Sequence, residues 1–244
     1  MERAKHIAIR FFSSLGYSVT VIPEADNKRA DLDVHDGKNQ YIVEVKEKLD
    51  TGSQVLRSTV GEGDSKVNVG REPHSRSNRL DGVLKHGTKQ LNETPSADGA
   101  FNLLWLYTEG VNADMTSRRA LYTFYGIATL IPVSQNSNGV NCVYFDYSTA
   151  FAMPSVNGLI VVENDSLQLC LNEFAPNYSS FKMSKLVSDL GAAICDPSNF
   201  ENEDGKIVLR STISRKNEQE VLNELEGVTG IRYTRIQLNR YTFE

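Results

Sequence analysis

Two short apolar segments, "ADLDV" and "QYIVEVK", flank the turn "HDGKN" within residues 28–48, and between them they carry Asp31, Asp33, Glu44 and Lys46. Side chains alternate along a strand, so Asp31 and Asp33 share one face while Ala30, Leu32 and Val34 share the other. In the second segment Tyr41, Val43 and Val45 take one face, and Ile42, Glu44 and Lys46 the other. Neighbouring strands lie about 5 Å apart, so with suitable register a carboxylate from each can meet at one point. Two carboxylates that close repel, and one of them is forced toward its protonated form unless a cation joins them. Oxygen donors alone select a hard ion, Mg2+ or Mn2+, and Mg2+ takes one or two carboxylates and keeps several waters. A lysine two residues beyond the second carboxylate projects beside such an ion. There it can position or deprotonate a bound water, or offset negative charge developing on a phosphate.

The neighbouring elements must place those groups. Ala4, Ala8, Phe11 and Leu15 form the stripe of an amphipathic helix that Gly16 ends. "YSVTVIP" is an alternating, β-branched strand closed by Pro23, and Asp36-Gly37 is the turn signal of a hairpin. Residues 47–76, rich in Gly, Ser and Thr, have no sustained period and are expected as one long mobile loop. "SNRLDGVLKHGTKQLNE" then sets Leu80, Leu84, Gly87 and Leu91 on one helical face, with Ser77 or Asn78 as N-cap. Arg79, His86 and Gln90 fall at the edge of that face. "FNLLWLYTE" is a buried strand, "DMTSRRALYTFYG" a helix and "IATLIPV" another strand. Beyond residue 133 come the strand-like segments "CVYFDY", "GLIVVE" and "LQLCLN", a helix over "SSFKMSKLVSDLGAAI", the strand "KIVLRSTI", the helix "EQEVLNELE" and a final strand "IRYTRIQL".

These residues resemble the PD-(D/E)xK nuclease superfamily of restriction-endonuclease-like and Holliday-junction-resolvase-like folds. Asp31 matches the acid that opens that family's second strand, with Ala30 where proline is common. Glu44-Val45-Lys46 matches the Glu-x-Lys of its third strand, thirteen residues on. The likeness covers roughly residues 2–107. It implies an α/β fold with an αβββαβ core, a central mixed sheet flanked by helices, and a C-terminal α+β extension. The expected division is 1–133 for the core and 134–244 for a region of unknown role. Asp31, Glu44 and the Val45 backbone carbonyl would hold Mg2+, with Mn2+ as substitute, and Lys46 would activate water for hydrolysis of DNA phosphodiester bonds. Gln90 resembles the accessory glutamine or lysine of some relatives. Where many relatives carry a helical glutamate this chain has Lys5, and Glu2, one turn earlier, is the candidate substitute. Relatives often pair to cut both strands, so a homodimer is among the implied assemblies. Two other readings stand beside this one: a catalytically silent nucleic-acid-binding or assembly module on the same scaffold, and a nuclease toxin acting on RNA.

The chain has 26 Lys and Arg against 31 Asp and Glu, so its overall charge does not mark a polyanion partner. Lys46 to Lys89 runs the other way, with nine basic to six acidic residues, a locally positive stretch. No apolar run reaches the roughly 18–20 residues needed to span a bilayer, and no secretory signal opens the chain. A cytoplasmic, non-membrane protein is therefore expected. Three widely spaced cysteines exclude a disulfide framework and a zinc knot, and His6, His35, His74 and His86 show no zinc spacing. Gly61, Gly63 and Lys66 cluster without the Walker pattern. Arg232, Arg235 and Arg240, interleaved with Tyr233 and Tyr241, form a strand that could track a phosphate backbone.

Overall fold

Ala4, Ala8 and Phe12 recur every four residues and are fully buried, which makes α1 (Glu2–Ser14) a helix with one face laid on a sheet. Phe11, expected in that stripe, sits at its margin, its ring 5.3 Å from that of Trp105. Gly16, at φ 79°, turns the chain into β1 (Ser18–Val21). The computed structural model describes residues 2–23, 29–50, 56–60, 67–110, 112–133 and 138–243.

β2 (Leu32–His35) and β3 (Gln40–Asp50) form the expected hairpin. Its turn is held by Asp36, whose carboxylate accepts from the Lys38 and Asn39 amides at 2.8 and 2.7 Å and from the Tyr41 hydroxyl at 2.6 Å. β4 (Leu56–Val60) and β5 (Val67–Pro73) come next. α2 (Asn78–Asn92) then starts on Ser77, whose hydroxyl accepts from the Leu80 amide. β6 (Phe101–Gly110), α3 (Ala113–Tyr125), β7 (Ala128–Pro132), β8 (Val140–Val143), α4 (Thr149–Ala152), β9 (Gly158–Glu163) and β10 (Ser166–Leu171) follow. The chain ends with α5 (Tyr178–Lys182), α6 (Lys185–Leu190), β11 (Ile194–Cys195), β12 (Lys206–Val208), α7 (Glu218–Thr229), β13 (Tyr233–Ile236) and β14 (Asn239–Phe243).

The protein is α/β, built on a mixed seven-stranded sheet in the order β1-β2-β3-β6-β9-β10-β11. β3, β6 and β9 run parallel at its centre, with antiparallel β1-β2 on one side and β10 on the other. Central strands of this kind read as near-continuous apolar runs, and Leu103, Leu104, Trp105, Leu106 and Tyr107 of β6 are all buried. One face packs α1 together with Phe181 of α5 and Leu186 of α6. The other packs α2 and α3 through Leu80, Leu84, Leu91, Ala120 and Phe124.

The division expected at residue 133 is crossed by this sheet, because β9, β10 and β11 extend the strands that precede it. Three further C-terminal strands, β8, β12 and β13, join β7 in a four-stranded sheet covered by Val221 and Leu225 of α7. Residues 47–76 are not one loop. β3 continues to Asp50, and β4 and β5 pair antiparallel, with β14 completing a three-stranded sheet. That last strand lies far away in sequence, so the local composition held no sign of it. The helix expected over residues 179–194 is broken at Ser184, which caps α6 by accepting from the Val187 amide. Among the described residues, no helix is long and apolar enough to cross a membrane.

Candidate active site

β2 begins at Leu32, opposite Val43, so past that pair no strand among the described residues flanks β3 on its β2 side. Asp31 closes this notch. Its amide donates to the Val43 carbonyl at 3.1 Å, and its own carbonyl accepts from the Ile22 amide at 2.9 Å. Its carboxylate takes the next ladder position, Oδ2 accepting from the Val45 amide at 2.9 Å. The N–H and C=O of a residue facing an antiparallel neighbour point the same way, so the Val45 carbonyl is aimed into the notch as well. Because the sheet is interrupted here, groups from both of its faces can reach one point.

From the α1 face comes Lys5, whose Nζ lies 2.8 Å from Asp31 Oδ1. From the α2 face come Glu44 and Lys46, with Lys46 Nζ 2.5 Å from Glu44 Oε1 and 2.7 Å from Gln90 Oε1. Gln90 in turn donates from Nε2 to the Arg29 carbonyl at 3.1 Å. Thr94, one turn later, accepts from the Ala30 amide at 2.7 Å. The C-terminal end of α2 thus ties down the segment that carries Asp31 and orients the Lys46 amine. Ala30 is drawn into the α2-side core with Ile42, instead of sharing the Leu32 and Val34 face, because it precedes the strand.

Gly87 allows this approach. A Cβ there would lie 2.7 Å from Leu104 Cδ2, 3.3 Å from Glu44 Cγ and 3.4 Å from Lys46 Cε. Gly87→Leu is expected to cost about 1–3 kcal/mol by overpacking and to push Glu44 and Lys46 apart. Its melting temperature, compared with that of Gly82→Leu, checks this, since among the described residues nothing lies within 4 Å of a Cβ at Gly82.

Glu44 is 1% exposed, and its Oε2 takes no hydrogen bond among the described residues. Burial first, and then the Asp31 charge, push its carboxyl up to about 7, against the opposing pull of Lys46. The contact between the two carboxylates is one of acceptor with acceptor, favourable only if a proton or a cation sits between them. Two residues beyond Lys46 on the same strand face, half-buried Lys48 is held below the ordinary lysine range by burial and by the charge of Arg79.

Asp33 is turned to the hairpin, 2.9 Å from His35 Nε2 and 3.0 Å from Gln40 Nε2. Glu2 is exposed in the first turn of α1, and Arg79 and His86 are exposed along α2. Arg235 is tied to Asp146 at 2.9 and 2.7 Å and to Glu218 at 3.1 Å, so its charge is already matched by two carboxylates of the protein. The Gly61–Lys66 cluster lies outside the described residues. Lys5, which stands where many relatives carry a helical glutamate, gains a role that its position in the sequence did not assign. It follows Ala4 of the buried stripe at the helix margin, but only the notch beside β2 gives it reach to Asp31.

Among the described residues no three His, Cys, Asp or Glu side chains gather to hold a metal. A hard ion needs fewer: two carboxylates, one with an unpartnered buried oxygen, plus a backbone carbonyl and water suit Mg2+. Comparison of the chain with protein-family models, with curated proteins and with solved structures finds no match.

Proposed function

We propose that the protein is a Mg2+-dependent nuclease of the PD-(D/E)xK type, hydrolysing phosphodiester bonds of DNA. The observation that carries this reading is the buried Glu44 carboxyl, with one oxygen unpartnered among the described residues, set against Asp31 and flanked by the Lys46 amine. An isolated surface ion pair would need neither the burial nor the second carboxylate, and would contribute only about 0–1 kcal/mol. The element order α1-β1-β2-β3, then the pair β4-β5, then α2 and β6, with one acid just before β2 and the other in the middle of β3, is in keeping with that family's core apart from the inserted pair.

In this reading Asp31, Glu44 and the Val45 carbonyl hold the ion. When bound, the ion acts as a Lewis acid on the scissile phosphate and acidifies a water. Lys46, fixed by Glu44 and Gln90, hydrogen-bonds the attacking water and keeps it on the phosphorus side of the carboxylates. Water oxygen would form the new P–O bond, releasing its proton to solvent, as the bond to the leaving sugar oxygen breaks and that oxygen takes a proton from solvent. Lys48 and Arg79 extend the positive charge along β3 and α2, where the neighbouring phosphates of a strand would lie.

Incubation of the protein with plasmid, linear duplex, single-stranded DNA and RNA, each with Mn2+ or with EDTA, tests the reading. Cleavage of DNA only with metal is expected. RNA as the only substrate would redirect the reading to an RNA-cleaving toxin, and no cleavage of any substrate would favour a binding or assembly module.

A further inference from the structure

We infer that Lys5 is the fixed counter-cation of Asp31 and confines the candidate site to a single divalent ion. The inference rests on the metal-dependent reading above. Asp31 has both carboxylate oxygens engaged, Oδ1 by Lys5 at 2.8 Å and Oδ2 by the Val45 amide at 2.9 Å. Glu44 has one engaged, by Lys46, while Oε2 is buried and unpartnered among the described residues. The open coordination therefore lies on the Glu44 side of the pair, and the outer side of Asp31 already faces an ammonium. That ammonium arrives from α1, across the sheet from Lys46, and its side chain and that of Asp31 are only 17% and 13% exposed.

Two-metal phosphodiesterases seat ions about 3.5–4 Å apart, flanking the reacting phosphate. A second ion on Asp31 would have to displace Lys5 or lie against it, like charge on like charge in a partly buried notch. The charge balance points the same way. Asp31 and Glu44 against Lys5 and Lys46 sum to zero, and one divalent ion brings the four side chains to a net of two positive charges, a match for a phosphodiester gaining negative charge as it is attacked. Lys5 is a positioning residue in this scheme. It holds the Asp31 carboxylate in place without touching the reacting atoms.

The test is Mn2+ stoichiometry on the full chain, read as free Mn2+ by electron paramagnetic resonance, and counting only ions that Asp31→Asn removes. One such ion is expected for the wild type and two for Lys5→Glu. Should Lys5→Glu fail to fold by near-ultraviolet circular dichroism, Lys5→Gln is read in its place, with the second ion expected at weaker affinity. Two ions in the wild type, or one in both proteins, overturns the role of Lys5 and leaves the nuclease reading standing. None in the wild type removes both.

Discussion

Replacing Lys46 by methionine is expected to lower the rate of metal-dependent DNA cleavage on the order of 10^3-fold, and Asp31→Asn to do the same, with the fold retained in both. Lys46 contributes an amine held at 2.5 Å from Glu44 and 2.7 Å from Gln90, a geometry that methionine fills without a donor. Its loss leaves a buried carboxyl, yet Glu44 is already near neutral as an acid, so it takes a proton and the stability cost is small. Asp31→Asn keeps an oxygen to accept from the Val45 amide and loses only the charge and the Lys5 pair. Asp33→Asn is the matched control. It is two residues away in sequence but turned to His35 and Gln40, and should cleave at the wild-type rate. Cleavage unchanged in Lys46→Met and Asp31→Asn would refute their roles. Equal losses in all three variants would mean that the hairpin, not the notch, is what matters.

Glu44→Gln carries the second large effect, on stability. The Glu44 carboxyl is raised from 4.5 to about 7 in the folded protein, so between those values the folded chain holds a proton that the unfolded chain has released. Its contribution is fully present below 4.5 and is lost as pH rises through about 7. At 1% exposure the group is barely screened, and a gap of that size corresponds to about 3 kcal/mol. The metal-free wild type should therefore melt about 6–12 °C lower at pH 8 than at pH 5 on account of this group. Glu44→Gln, which carries no such charge, should be flatter over the same range and more stable than the wild type at its upper end. Mn2+ should raise the wild-type melting temperature at pH 8 and leave that of Glu44→Gln unmoved. Parallel pH profiles for the two proteins would show that Glu44 is not the buried titrating acid.

The hairpin, the α2 stripe and the face shared by Glu44 and Lys46 could be read from the sequence because each depends on local rules: period two, period 3.6 and a Ser cap. Gln90 was visible for the same reason, lying one helical turn from Gly87 on the edge facing β3. What the sequence hid is non-local. β14 completes a sheet with β5 across more than half the chain, and β9 joins β6 after the excursion through β7 and β8. Neither pairing leaves a mark on nearby composition. The Lys5–Asp31 contact belongs to the same class, since it joins the first helix to the start of β2 only because β2 stops short of Val45. Ala30 broke the alternation rule at that very point, where the extended segment is no longer a strand.

The claim that Asp31, Glu44 and Lys46 form one hard-metal phosphodiesterase site is tested most directly by titrating Mn2+ into a digestion of supercoiled plasmid by the wild-type protein. Nicked and linear products rising with Mn2+ and vanishing with excess EDTA is the predicted result. Cleavage that persists in EDTA, or intact plasmid at saturating Mn2+, would contradict it.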